Sequence, residues 1–248
     1  HRLPCVGKHE EGRGASASFG SGANKGKPGM VISALIGRSP TMIYFGQEVG
    51  EQGDKNDAMF NVPMKMRTTQ YDYWGVSTHQ RWMNGGKFDG GALSDGELAL
   101  RDFYARLLNF STSSLALSGE YAAVESGNDK LFSFVRWYDD ERLIVVSNFD
   151  DTKPYDFTLD IPAGIISAWN LADGRYALDD KLYGENNSNL VVDGGKGYVA
   201  ATLAPLESVV LKVGGMQIVR HNSFPSKFVA PRPIDVWLPA GYRNSDEP

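Results

Sequence analysis

The sequence predicts an α/β half, built on the helix–strand–helix order of a parallel sheet, followed by an all-β antiparallel sandwich. Three observations predict it. Residues 40–48, Pro-Thr-Met-Ile-Tyr-Phe-Gly-Gln-Glu, form a short apolar run opened by a proline and closed by a glycine and two polar residues, which reads as one buried strand with a polar mouth. Helical periodicity flanks that run on both sides. Beyond about residue 113 the apolar period changes from helical to alternating, with turn signals at short intervals.

In chain order, residues 1–27 hold six glycines (Gly7, Gly12, Gly14, Gly20, Gly22, Gly26) among small and charged side chains and read as loop. Pro28 suits the first turn of a helix, Met30, Val31, Ala34 and Leu35 share one face, and Gly37 stands just past the end, so the spacing predicts a helix over 28–36. After the 40–48 strand, residues 49–93 are long for a simple connection, which marks a functional loop. Ser94 and Glu97 form a capping-box pattern ahead of Leu98, Leu100, Phe103, Tyr104, Leu107 and Leu108, predicting a helix over 94–110 with a broad apolar face. Residues 131–138 and 142–149 predict two strands around the charged tip Asp139-Asp140-Glu141. Tyr155, Phe157 and Leu159 alternate with Asp156, Thr158 and Asp160, Asp173-Gly174 offers a tight turn before 175–178, and 198–203 and 208–213 supply two more strands. In the last 34 residues Pro225, Pro231, Pro233 and Pro239 limit ladder pairing, while Ile234, Val236 and Leu238 alternate like a single strand. The predicted domains are 1–113, 114–214 and 215–248.

Composition narrows the function classes. The 248 residues are 42% hydrophobic and 22% charged with formal charge -5, enough chain for a proper core and without the basic clusters that phosphate recognition requires. No nucleic-acid partner is expected, and no apolar run reaches membrane-spanning length. Cys5 is the single cysteine, which excludes an internal disulfide framework and a cysteine-based zinc site and leaves the redox compartment undecided. The first residue is His1 and not methionine, so the chain reads as cut from something longer.

Pro40, Tyr44, Gly46 and Glu48 match a Pro-x-x-x-Tyr-x-Gly-x-Glu pattern, and here the chain resembles the alpha-amylase family of glycoside hydrolases (family 13). The resemblance implies that 1–113 are the last units of a (β/α)8 barrel, with 40–48 as the eighth strand, and that 114–214 are the C-terminal β-sandwich. Gln47 and Glu48 would then stand at the reactive face, where residues just after a barrel strand meet the substrate. Upstream, Lys8-His9-Glu10-Glu11-Gly12-Arg13 resembles the Asn-His-Asp loop that follows the seventh strand, with Glu11 and Arg13 matching its continuation. By that resemblance His9 hydrogen-bonds substrate hydroxyls near the scissile bond, Glu10 holds the place of the transition-state-stabilising aspartate, and Arg13 belongs to the substrate-binding set. Lys8 replaces the asparagine, and Glu10 is one methylene longer than aspartate.

Retaining glycoside cleavage needs one attacking carboxylate and one carboxylic acid roughly 5–5.5 Å apart around a cationic, sugar-like transition state. A third carboxylate stabilises that charge, and a neighbouring histidine adds binding that strengthens as the ring flattens. A displacement of about 1 Å can cost about a hundredfold in rate, so Glu10 in place of aspartate bears directly on turnover. The family's nucleophile and acid belong to motifs that precede this stretch, so the chain alone is expected to be inactive. Family members often bind calcium through ligands that also precede it; no cofactor is expected here.

In the 49–93 loop, Arg67-Thr68-Thr69 and Asp72-Tyr73-Trp74 resemble a pair carried by a subgroup of the family. Sugars present flat C–H faces, so Tyr73 and Trp74 beside hydrogen-bonding neighbours make a workable substrate platform. The expected partner is an oligosaccharide or glucan, together with an N-terminal barrel portion of the same polypeptide. The alternative is a carbohydrate-binding or structural β-sandwich module, in which Trp137 and Trp169 pack in the core. Residues 224–242 resemble the opening strand of an esterase-like α/β-hydrolase domain, but no Gly-x-Ser-x-Gly nucleophile elbow occurs, so no esterase activity is expected.

Overall fold

The computed structural model describes residues 6, 13–16, 22–53, 76–184 and 188–237. Its helices are α1 (Lys27–Leu35), α2 (Ser77–Met83), α3 (Asp95–Ser113) and α4 (Ala163–Ala168). Pro28 lies in the first turn of α1, where its missing N–H costs nothing, and Met30, Val31, Ala34 and Leu35 are buried on one side. The Ser94–Glu97 capping box starts α3, the Ser94 N–H donating to Glu97 Oε2 at 2.8 Å. Leu100, Phe103, Tyr104 and Leu107, spaced i, i+3, i+4, i+7, form its buried face.

Among the described residues nine strands follow: β1 (Glu120–Ala123), β2 (Leu131–Tyr138), β3 (Glu141–Asn148), β4 (Tyr155–Ile161), β5 (Gly174–Asp180), β6 (Asn189–Asp193), β7 (Lys196–Leu203), β8 (Ser208–Phe224) and β9 (Arg232–Trp237). They pair in the order β1-β2-β3-β8-β5-β6-β7-β4, with β9 also on β8, and each pairing is antiparallel. The predicted 131–149 hairpin is present in register, Leu131 opposite Asn148 and Tyr138 opposite Glu141. β8 carries the curl: it pairs with β3 through Ser208–Lys212 and with β5 on its other edge, with register shifts around Tyr176.

The curled sheet encloses one core. Val135, Ile144, Leu159, Ile161, Leu190 and Val199 meet inside it, with Trp169 1% exposed and Trp137 edge-on at 6.3 Å between ring centroids. Alternate residues of β2, β3 and β8 (Phe134, Leu143, Val145, Val210) point the other way and pack on Met30, Leu35, Phe103 and Leu107. These three strands are therefore buried on both faces, which explains the unbroken runs Leu143-Ile144-Val145-Val146 and Val209-Val210-Leu211 in antiparallel strands. The sandwich covers the apolar face of α1 and α3.

Two expectations change. Residues 40–46 form no strand; Met42 makes a single bridge, and no parallel pair occurs among the described residues. Side chains meet two backbone groups of the segment, Arg13 Nη1 donating to the Phe45 carbonyl (2.6 Å) and the Tyr44 N–H donating to Gln47 Oε1 (3.3 Å), while Thr41 Oγ1 ties it to α1 by donating to the Ser33 carbonyl (3.2 Å). Beyond residue 214, β8 runs on to Phe224 and β9 pairs back on it, so the strand read at 234–238 is Arg232–Trp237 and belongs to this sheet. Pro233 and Asp235 suit its edge position.

Glu141, at the tip of the β2–β3 hairpin, ties the sheet to the end of α3. Its Oε2 accepts the Ala116 N–H (2.8 Å) and the Ser114 hydroxyl (3.0 Å), and Lys212 Nζ lies 3.0 Å from Oε1. Desolvation pushes this carboxyl up, but the Ala116, Lys212 and Ser114 bonds outweigh it and hold the pKa below the usual glutamate value. A depressed folded-state pKa gives stability that is present above the unfolded value of about 4.3 and disappears as pH falls through the folded one. Glu141→Gln should cost about 1–2 kcal/mol at pH 7. In urea melts from pH 7 to pH 3 that difference from the wild-type chain should shrink towards zero; a gap independent of pH would refute the charge as its source.

Candidate functional site

The 44–53 segment is built around Gly46. Its φ of +76° is the left-handed conformation glycine adopts without penalty, and a Cβ there would meet Glu51 Cβ at 3.0 Å and His79 Cβ at 3.3 Å. The turn closes through Gln47 N–H to the Tyr44 carbonyl (2.9 Å) and Glu51 N–H to the Gly46 carbonyl (2.9 Å), followed by a 3₁₀ turn over Gln47–Val49. This folds Glu48 to the half-buried side and Glu51 to the interior.

Arg13 closes the other side. It is 2% exposed, with its guanidinium 4.3 Å from the Tyr44 ring centroid and 4.8 Å from that of Phe45. Burial lowers its pKa to about 10, and Tyr44, Glu51 and Glu48 act against that shift. At neutral pH it remains a fixed cation in the field of two carboxylates, held by cation–π contact and by the Phe45 carbonyl. Arg13 and Glu48, 35 positions apart, thus share one electrostatic neighbourhood.

Gln47 turns away from them. Its Nε2 donates to the Tyr104 hydroxyl (3.1 Å) and lies 3.4 Å from Met30 Sδ, so its amide locks the turn to α3 and α1. Burial raises the Tyr104 hydroxyl to about 12, which keeps it neutral and able to share that bond. The candidates His9, Glu10, Tyr73 and Trp74 lie outside the described residues.

Glu51 and His79 were not singled out from the sequence as site residues. Glu51, 2% exposed, accepts the Thr78 (2.9 Å) and His79 (3.1 Å) N–H groups through Oε2 and the Gly53 N–H (2.9 Å) through Oε1, capping α2 from a distance in sequence. His79 stacks on Trp82 at 5.6 Å and stands edge-on to Phe45 at 5.4 Å. Among the described residues the result is a wall of rings against which the Arg13 guanidinium packs on one side and that of Arg101 lies over Trp82 on the other, with Glu48 half-buried near Arg13. Among the described residues no three His, Cys, Asp or Glu side chains are grouped as a metal site needs, and no helix is long and apolar enough to cross a membrane.

Comparison with known proteins addresses the fold. Residues 121–214 match the alpha amylase C-terminal all-beta domain. That all-beta domain is the sheet described above from β1 into β8. A comparison with curated protein sequences finds no significant match. Among solved structures, the chain is similar to the alpha-amylase from H. orenii (TM-score 0.54, 19% identity, 85% of this chain and 39% of that one). It is also similar to AmyP in complex with maltose (TM-score 0.55, 19% identity, 84% and 40%). A third likeness is to a MUTB mutant from crystals soaked with trehalulose (TM-score 0.54, 17% identity, 84% and 42%). The chain spans about two fifths of the length of these structures, and the likeness is one of fold.

Proposed function

We propose that this chain is the C-terminal part of an alpha-amylase-like glycosidase that cleaves alpha-glucosidic bonds of starch-like glucans with retention. In this reading residues 1–113 contribute the last units of a (β/α)8 barrel and the all-beta domain braces them. One observation carries the reading: the likeness to amylase structures covers 84–86% of the chain, so it reaches well past residues 121–214 into the helical half that holds Arg13 and Glu48.

Each candidate then has a chemical task. His9 donates to sugar hydroxyls, and Glu10 supplies negative charge to the oxocarbenium-like transition state. Arg13, packed on Tyr44 and Phe45, fixes the wall behind them, while Glu48 at its rim and the Tyr73-Trp74 pair meet the sugar. Gln47 positions that rim through Tyr104. The attacking carboxylate and the acid of the retaining pair have no counterpart among the motifs of these 248 residues, so this chain by itself should release no reducing sugar from maltoheptaose. Joined to an N-terminal barrel portion that carries those two carboxylates, it should release the α-anomer first, as read by proton NMR before mutarotation. A β-anomer, or turnover by the isolated chain, would overturn the assignment.

The alternative role for the sandwich, a structural module, is favoured by the two-sided burial of β2, β3 and β8. The two readings are compatible, because bracing α1 and α3 fixes the turn that carries Glu48. The esterase-like resemblance of 224–242 stays without a function here, as β9 pairs with the sandwich and no nucleophile elbow accompanies it.

A further inference from the structure

At the Pro40 end of the segment whose other end carries Glu48, a half-open cavity of about 620 Å³ lies between the C-terminal end of α1, residues 37–41 and the last turns of α3. Ala34, Pro40, Leu108 and Leu117 give it C–H surface. Among the described residues, six that bear hydroxyls, Ser39, Thr41, Ser111, Thr112, Ser114 and Ser118, give it polarity, and Arg38 is the one ionised residue of the lining.

The hydroxyl hydrogens decide what the cavity can hold. Thr41 donates to the Ser33 carbonyl (3.2 Å), Ser111 to that of Leu108 (2.9 Å), Thr112 to that of Asn109 (3.0 Å), and Ser114 to Glu141 Oε2 (3.0 Å). With those hydrogens committed, the four oxygens offer lone pairs, so the wall accepts more hydrogen bonds than it donates. A phosphate or carboxylate needs several donors and finds the Ser39 and Ser118 hydroxyls and Arg38, which already donates to the Gly119 carbonyl (2.8 Å) and has Glu120 Oε1 at 4.0 Å. An ammonium group would gain acceptors but meet the Arg38 charge. What remains is an uncharged ligand that donates several O–H bonds, accepts from Arg38, and presents C–H faces to the aliphatic wall.

We propose that this cavity is a binding site for a neutral sugar of one or two rings, a size that suits its volume. Nothing in that chemistry depends on the proposed glycosidase activity. Maltose, cellobiose and lactose, each titrated into the ¹⁵N-labelled 248-residue chain, form the test. At least one should shift the backbone amides of 37–41 and 111–118, and sodium phosphate at equal concentration should leave those shifts in place. Arg38→Ala, at a side chain 63% exposed, should weaken the binding at least fivefold, and Ser111→Trp should abolish it by filling the cavity. Melting curves establish that each variant is folded, and Arg38→Ala keeps the test decisive if the tryptophan is not accommodated. No shift with any of the three sugars overturns the site, as does displacement by phosphate or undiminished binding by folded Arg38→Ala. Shifts confined to Arg13 and residues 44–51 overturn it too, while leaving the glycosidase reading to the product anomer.

Discussion

Arg136→Met is expected to destabilise the chain by about 3 kcal/mol, because it leaves buried carbonyls without donors. Arg136 lies on β2, 1% exposed, on the face that packs against the helices. One Nη donates to the Ile36 carbonyl at 2.7 Å and reaches that of Leu35 at 3.4 Å; the other donates to the carbonyls of Leu117 and Gly119. Leu35 and Ile36 end α1, where the last carbonyls have no partner within the helix and the dipole favours a cation. A single guanidinium therefore fastens the end of one helix, the turn after another and a central strand. Its pKa is pushed below the usual arginine range by burial first and by Arg38 second, a cost of holding the cation there, so part of the lost hydrogen bonding is regained when it is removed. For a chain of this size about 3 kcal/mol corresponds to a fall of about 6–12 °C in Tm.

The comparison with Arg136→Lys separates charge from geometry. A lysine restores the charge but not the planar fork that serves both ends at once, so it should recover less than half of the lost stability. Amide exchange should quicken at the C-terminal turn of α1 in both variants. If Lys restores the full melting temperature, the fork is not what joins the layers.

The parts that were legible in the sequence are those whose signals are local. Ser94 and Glu97 cap α3 within one turn, and Leu100, Phe103, Tyr104 and Leu107 mark its face by spacing alone. The β2–β3 hairpin shows its charged tip. β1 is not legible, because Glu120, Tyr121 and Ala123 are exposed and an edge strand need not alternate. α2 starts without a side-chain cap of its own, since the carboxylate that caps it is Glu51, 26 positions before Ser77. The apolar run at 40–46 looks like a strand, yet its Phe45 carbonyl is met by Arg13 and its Tyr44 N–H by Gln47, which pattern reasoning does not register. The candidate site shows the same limit. Arg13 and Glu48 were named from a motif, but the inward turn of Gln47 is set by Tyr104, 57 positions away.

Gly119→Ala should be at least as damaging as the loss of Arg136, although alanine is the smallest possible addition. Gly119 joins the turn after α3 to β1, and a Cβ placed on it would lie 1.9 Å from the Trp137 carbonyl oxygen and 2.6 Å from Tyr138 Cβ. The nearest obstacle is backbone of a paired strand, so no rotamer change relieves it; β1 must move off β2, to which Glu120 is registered opposite Trp137. That shift also carries away the Gly119 carbonyl, which accepts from Arg38 (2.8 Å) and Arg136 (3.2 Å). Overpacking of this kind costs about 1–3 kcal/mol, and the two displaced cationic donors raise the expected total to about 4 kcal/mol. Gly164→Ala, inside α4 with nothing within 4 Å of the added carbon, is the matched control and should be neutral or stabilising by about 0.5–1 kcal/mol. In urea melts the Gly119→Ala midpoint should fall while that of Gly164→Ala stays or rises. A Gly119→Ala midpoint within error of the wild-type value would show that β1 is not held against Trp137 in solution.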